Sequence, residues 1–337
     1  MDLPVLSGPA VATWQMAELR RTLAWLRGAS PFHAARLRDI DLEALRTQAD
    51  LARLPRMEAG DLAAPGLLTV SQDAVARVVS LNTSGTSGPA KRLYFSDADL
   101  LRTLDFFAVG MSTLCGPGDA VLVLLPGRRE WGVADLLVRA LPKLGPADGA
   151  RAVLPPENWT PEILPALLHA EAVTGLIAAP TQLRRLLSLP REAFQGRIRT
   201  LLASAEPLTD ALRVEIEAAW GCEVFDHWGM TETGYGGGVE CAAHAGYHLR
   251  EADLLLEVAD WASGAPLPEG RRGEILVTTL GGRALPLVRH RTGDAGVMLP
   301  GPCACGSPLR RLGPVAGRLR ADGHGIEQPN KGWVAKP

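Results

Sequence analysis

The sequence predicts an α/β protein, with mostly parallel, helix-covered sheets followed by a smaller β-rich subdomain. Two patterns carry this reading. From Arg77 to about Val239, short apolar runs alternate with amphipathic segments, as strand and crossover helix do in a parallel sheet. After Glu240, period-two alternation broken by Gly and Pro takes over. At 337 residues and 47% hydrophobic content, the chain has enough apolar surface for a large core divided among subdomains.

Taken in order, "MAELRRTLAWLRGASPFHAARL" repeats Leu and Trp at helical spacing, with arginines on the opposite face, and predicts a helical N-terminal segment over 1–76. Over 77–239, "RVVSLNTS", "DAVLVLLP", "ARAVLP", "VTGLIAAP", "IRTLLAS" and "CEVFDHWG" read as strands. The intervening "DADLLRTLDFFAVGM", "VADLLVRALPKL", "PEILPALLHA", "TQLRRLLSL" and "DALRVEIEAAW" read as helices. Over 240–318, "HLREADLLLEVAD" and "RRGEILVTTLGG" read as antiparallel strands, and 319–337 as a tail.

Composition excludes several classes of partner. A net charge of −2, from 35 basic and 37 acidic residues, offers no bias toward nucleic acid or an anionic membrane. No apolar run reaches the eighteen or so residues of a membrane span, and the N-terminus lacks the order of a signal peptide, so the expected location is the cytoplasm. Five cysteines, an odd number, point to reduced thiols or metal ligands rather than a disulfide framework.

"LNTSGTSGPAKRLYFS", residues 81–96, concentrates Gly, hydroxyls and a lysine after an apolar run. Exposed backbone N–H groups, hydroxyl donors and a point charge suit a polyphosphate. The spacing is not that of the Walker loop. Read alone, the stretch is equally a Ser/Gly-rich turn.

Three further motifs follow in order: "SAEPL" (204–208), "DHWGMTETG" (226–234) and "RHRTGDAG" (289–296), with "GRLR" (317–320) after them. Together with the loop, and with "QADLARLPRMEAGDL" upstream, they resemble the ATP-dependent adenylate-forming superfamily, most closely its phenylacetate–CoA ligase branch. The resemblance runs from about Leu19 to Arg318. It implies the N-terminal domain of that family and activation of a carboxylic acid, aryl and phenylacetate-like, as an acyl-adenylate for transfer to coenzyme A. The implied cofactors are ATP and Mg²⁺.

The resemblance also implies roles for individual residues. Ser84, Gly85, Thr86, Ser87, Gly88 and Lys91 match the phosphate loop. Glu206 and Pro207 match the segment beside the adenine, with Ser204 where the family has Gly. Trp228 stands where a Tyr ring lies on the purine, and indole offers a comparable stacking face. Thr231 would donate to the α-phosphate and Glu232 would hold Mg²⁺. Asp294 would accept from the ribose hydroxyls, and Arg318 would reach ribose or phosphates as a fork of donors. "PGRREWGVADLL" occupies the place of the acid pocket's wall, which makes Trp131 a pocket candidate. Gly236, with Gly237 and Gly238, either gives the acid room or allows a tight bend. Arg128 and Arg129 either face a charged substrate or lie on the surface.

A second constellation is Cys241, His244, His248, Cys303 and Cys305. Two thiolates with one or two imidazoles suit a tetrahedral structural Zn²⁺ site, with Cys241, His248, Cys303 and Cys305 as the expected ligands and His244 as the substitute. A set of buried thiols is the other reading, and Cys115 and Cys222 read as core. The hinge after the G-R motif carries Arg320 and Ala321 where the family has acidic residues. The family's mobile lid, with its catalytic lysine, would extend well past this point, and neither Lys331 nor Lys336 matches that lysine. A separately encoded lid and a second copy of the chain are therefore candidate partners. Two functions follow: an acid-activating ligase, or a nucleotide- or acyl-adenylate-binding sensor or scaffold.

Overall fold

The computed structural model describes residues 8–81, 91–144, 149–319 and 326–327. Helices α1 (Gly8–Ala29) and α2 (Pro31–Leu37) precede strands β1 (Arg77–Leu81) and β2 (Lys91–Phe95) and helix α3 (Asp97–Met111). Next come β3 (Ala120–Val123), α4 (Val133–Ala140), β4 (Arg151–Val153), α5 (Leu164–Ala170), β5 (Gly175–Ala178) and α6 (Pro180–Leu186). They are followed by β6 (Thr200–Ala203), α7 (Asp210–Trp220), β7 (Glu223–Trp228), β8 (Gly238–Glu240) and β9 (Tyr247–Leu249). The chain continues through β10 (Leu254–Ala259), β11 (Arg272–Thr279), β12 (His290–Leu299), β13 (Arg311–Leu312), β14 (Gly317–Leu319) and β15 (Ile326–Glu327). No helix among the described residues is long and apolar enough to cross a membrane.

Contacts divide the chain into two units, each discontinuous in sequence. Unit one takes residues up to Leu101, Met230–Gly234 and His248–Asn330; unit two takes Arg102–Gly229 and Tyr235–Tyr247.

Unit two holds the parallel sheet, in the order β4-β3-β5-β6-β7, with β8 antiparallel on β7. The runs "AVLV" and "GLIA" are buried throughout, as strands covered on both faces must be. Leu176, Leu201 and Val224 pack with Leu183, Ile216 and Trp220 from the helices of one face, where Trp220 stacks on Phe194 at 4.4 Å. Val121, Ile177, Leu202 and Phe225 pack with Leu104, Phe107 and Leu137 on the other. Because β4 and β5 flank β3, the winding reverses there, at the kind of point where open α/β sheets bind ligands beyond the C-terminal strand ends. Gln182 spans this point, its Nε2 donating to Leu124 O (2.9 Å) and its Oε1 accepting from Ala179 N (2.8 Å).

Unit one is antiparallel: β10, β11 and β12 pair in order, β13 and β14 each pair with β12, and β15 pairs with β14. Residues from "LPRMEAGDL" flank β12 by a Met57–His290 bridge, with Arg291 N donating to Met57 O at 2.9 Å. Helix α1 docks through Gln15, whose Nε2 donates to Glu251 O (2.7 Å) and Leu254 O (2.9 Å).

One expectation is corrected. "RVVSL" heads the parallel series in the sequence reading, yet it forms an antiparallel ribbon with β2 in unit one. The reason lies in its side chains: Val78 is 49% exposed and burial alternates along the strand, which fits a half-solvated ribbon rather than a sheet covered on both faces.

His33 on α2 is buried, with Nε2 3.3 Å from Pro286 O, and burial pushes its pKa from 6.5 down to about 4 despite that bond. Between these values the unfolded chain binds the proton and the folded one does not, so stability falls as pH drops from 6.5 to 4. One pKa unit is worth about 1.4 kcal/mol, which places this loss at roughly 3 kcal/mol. Denaturant unfolding of His33→Asn across this window is expected to show a shallower pH slope than the parent chain.

Candidate active site

In unit one, Leu81 and Lys91 are register partners, so the ribbon holds together the two ends of the glycine- and serine-rich stretch. Ser84, Gly85, Thr86, Ser87 and Gly88 themselves lie outside the described residues. Lys91, which opens β2, puts Nζ 3.6 Å from Glu232 Oε1; the Glu232 side chain is only 7% exposed. Glu232 sits in one 3-10 turn, Thr231–Thr233, closed by Gly234 at φ +72°. Thr233 Oγ1 braces the turn by accepting from Met230 N (3.3 Å) and donating to Met230 O (2.9 Å). Thr231 lies half-buried in the same turn.

The "RHRTGD" segment shows why each of its residues is of that type. Arg289 is buried and left-handed (φ +48°); its Nε donates to Glu257 Oε1 (2.5 Å), Nη1 to Leu54 O (3.0 Å) and Nη2 to Gly264 O (2.6 Å). Arg291 Nε donates to Glu274 Oε2 at 2.8 Å. Thr292 Oγ1 accepts from Asp294 N (3.0 Å) while donating to Ile275 O (2.8 Å). Asp294 pairs in register with Arg318, and Arg318 Nε lies 3.1 Å from Asp294 Oδ1 on a side chain 67% exposed. His290 was not singled out from the sequence. It is buried, and burial drives its pKa down to about 4, with the Glu232 carboxylate opposing and Lys91 reinforcing.

In unit two, Glu206 is committed to the start of α6, accepting from Thr181 N (2.9 Å) and Thr181 Oγ1 (2.8 Å), while Pro207 is exposed. Ser204 Oγ lies 3.2 Å from His227 Nδ1, and burial pushes the His227 pKa down to about 4. Trp228 is buried, and one side of its ring lies so close to Gly237 that a Cβ there would overlap it. Trp131, at φ +61°, donates its N–H to Asp135 (2.8 Å), and its ring carries the Arg139 guanidinium at 4.5 Å. Arg128 donates to the Pro155 carbonyl, while Arg129 is exposed. Gly238 opens β8. The space left by the missing side chain of Gly236 is filled by Phe106, whose ring also approaches His227 at 6.3 Å.

The metal candidates fall as follows. In unit one, the donor atoms of His248, Cys303 and Cys305 lie within 4.8 Å of one another, with Cys305 Sγ 3.3 Å from His248 Nε2. Their two segments are tied together by Leu249 N donating to Arg310 O (3.0 Å) and Arg310 Nε donating to Glu251 Oε1 (2.6 Å). Burial holds the His248 pKa below its ordinary value, which favours the neutral, ligating ring. Cys241 belongs to unit two, seven residues upstream of His248. His244 is committed elsewhere, with Nδ1 3.4 Å from Glu240 Oε2 and Nε2 3.1 Å from Glu223 Oε1. Burial raises the Cys115 and Cys222 thiols to about 12, as expected of core cysteines. Arg320, Ala321, Lys331 and Lys336 lie outside the described residues.

The family model described as AMP-binding enzyme matches residues 71–281. A phenylacetate–coenzyme A ligase of Thermus thermophilus is 27% identical over 335 residues, covering 94% of this chain and 72% of that ligase. One from Aromatoleum evansii is 29% identical, covering 81% of this chain and 62% of that ligase. Among solved structures, an open conformation of 2-hydroxyisobutyryl-CoA ligase in complex with 2-HIB-AMP and CoA superposes with a TM-score of 0.80 at 20% identity. That match covers 94% of this chain and 77% of the other and shows a shared fold.

Phe106 and Gly236 yield a test of the packing in unit two. Gly236→Ala is expected to lower the unfolding free energy by about 1–3 kcal/mol through overpacking, and Phe106→Leu in the same chain to recover part of it, as read by denaturant unfolding.

Proposed function

This chain belongs to the AMP-binding enzyme family, and from that premise we propose that it activates a carboxylic acid with ATP, forming an acyl-adenylate and releasing pyrophosphate. The observation that carries the proposal is Lys91 beside Glu232, with Thr231 in the same turn. In the reaction a carboxylate oxygen of the acid attacks the α-phosphorus and the bond to the bridging oxygen of pyrophosphate breaks. Two anions must be brought together, so catalysis consists of positioning and charge neutralisation, and no nucleophilic side chain is needed.

Lys91 supplies a cation to the phosphates, and the Thr231 hydroxyl donates to the α-phosphate. Asp294 accepts from the ribose, and Arg318 adds a fork of donors. The Glu232 carboxylate, little exposed and with a cation as neighbour, is a hard oxygen donor of the kind Mg²⁺ takes, and the ion would supply further neutralisation of phosphate charge. The curated relatives named above act on phenylacetate, so an aryl acid with coenzyme A as acceptor is the first choice here. In that second step the thiol sulfur bonds to the acyl carbon and AMP leaves. ATP–pyrophosphate exchange with a panel of aryl and aliphatic acids tests the first step. Acid-dependent exchange is expected, along with at least a tenfold loss of Mg·ATP affinity in Glu232→Gln against an AMP affinity that holds within about twofold. Absence of exchange alongside tight AMP binding would mark a sensor or scaffold instead.

His248, Cys303 and Cys305 are proposed as ligands of a structural Zn²⁺. Thiolates with an imidazole are the donors such sites use, and the role of the ion is to tie segments distant in sequence. Purified protein is expected to carry about one zinc per chain, and chelation or Cys303→Ser to lower the thermal midpoint. Metal-free protein of unchanged stability would refute the site.

A further inference from the structure

Behind the Lys91–Glu232 pair, unit one contains a second set of charges that the reaction does not use. Asp99, in the first turn of α3, accepts from Ser96 N (3.0 Å), Ser96 Oγ (2.8 Å) and Ala284 N (3.0 Å) through Oδ2. Its other oxygen lies 3.5 Å from Arg283 Nη1. Arg283 Nη2 is 3.1 Å from Asp253 Oδ1, and Asp253 Oδ2 is 2.8 Å from Arg250 Nε. Arg250 Nη1 in turn donates to Thr233 O at 3.5 Å. The side chains of Arg250, Arg283 and Asp99 are 2%, 8% and 5% exposed.

The path begins at Ser96, which follows the strand opened by Lys91, and ends at Thr233, next to Glu232. The Lys91–Glu232 contact therefore closes a ring: β2, Asp99, Arg283, Asp253, Arg250, the Thr231–Thr233 turn, and back to β2. A small cavity is lined by Phe95, Asp99, Glu232, Thr233, Gly234 and Arg283, so members of the ring border it. A guanidinium within ion-pair distance of two carboxylates moves away from one as it moves toward the other. A displacement of the turn is thus resisted through its contact with Arg250.

We propose that Asp99, Arg283, Asp253 and Arg250 are positioning residues, which set the separation between Lys91 and Glu232 and so act on Mg·ATP without touching it. The proposal rests on the reading of Lys91 and Glu232 given above. An ordinary structural role would lower stability and weaken all ligands together; positioning of this pair acts on the triphosphate and its ion alone, and only while Glu232 is present.

The test is a double-mutant cycle on the full chain, with Mg·ATP and AMP affinities measured by titration calorimetry for the parent, Asp253→Asn, Glu232→Gln and the double variant. Asp253→Asn is expected to weaken Mg·ATP about tenfold in the parent and less than about twofold in the Glu232→Gln chain, with AMP affinity unchanged throughout. The same loss in both backgrounds, or an equal loss for AMP, overturns the proposal. A parent chain that binds no Mg·ATP removes the functional reading first, and the control shows this separately. Arg250→Lys keeps the charge but loses the fork, and it takes the place of Asp253→Asn, with the same expected outcomes, should that variant fail to fold.

Discussion

Unit one depends on the burial of Arg289. Its guanidinium ties three segments together: the N-terminal stretch at Leu54, the turn at Gly264 and strand β10 at Glu257. A charge so far from water is tolerated only with its donors satisfied, and removing one partner of such a pair typically costs about 3–5 kcal/mol. The backbone there is left-handed, a conformation a non-glycine residue keeps only when its surroundings over-determine it. From that anchor β12 runs outward, with His290 and Asp294 at fixed places along it. The geometry of the candidate site thus begins with a residue that has no part in the chemistry.

The two units illustrate different solutions to the same problem of holding polar groups. Unit two surrounds most of its parallel strands with apolar side chains, satisfies backbone groups at strand ends through Gln182 and Glu206, and confines its buried charge to one cluster on β7 and β8, where Asp226 accepts from Tyr247 and Glu240 pairs with Arg213. Unit one instead buries carboxylates and guanidiniums in pairs: Glu257 with Arg289, Glu251 with Arg310, Asp99 and Asp253 with Arg283. Buried pairs are poor sources of net stability but fix direction well, since each hydrogen bond has a narrow range of angles.

Much of the fold was legible because its signals are local. The runs forming β3 and β5 are short and wholly apolar, and the segments written as α3 and α7 coincide with the helices found. The "TETG" and "RTGD" motifs each end or turn on a glycine with positive φ. What stayed hidden depends on pairing between distant residues. Lys91 reads as part of a phosphate loop, but as the first residue of β2 it is fixed by a strand. Gly236 reads as room for a substrate or as a tight bend, and its neighbour Phe106 sits on a helix from a remote stretch of chain. Asp99 reads as an ordinary acidic residue in a helix's first turn; nothing local announces Arg283.

The interleaving of the two units in sequence has a kinetic consequence. Chains emerge from the ribosome at roughly 5–20 residues per second, and domains fold as their segments become available. Unit one receives β1, β2 and the start of α3 early, but its strands β10 to β14 come only after the described residues of unit two have been made. For a period on the order of ten seconds, Asp99 and its ribbon have no guanidinium to meet. Unit two, whose parallel strands are nearly contiguous in sequence, has all the described residues of its core available in that interval. The Asp99–Arg283 contact therefore joins a residue made early to one made late, so the buried charges behind the site cannot all be paired before Arg283 has been synthesised.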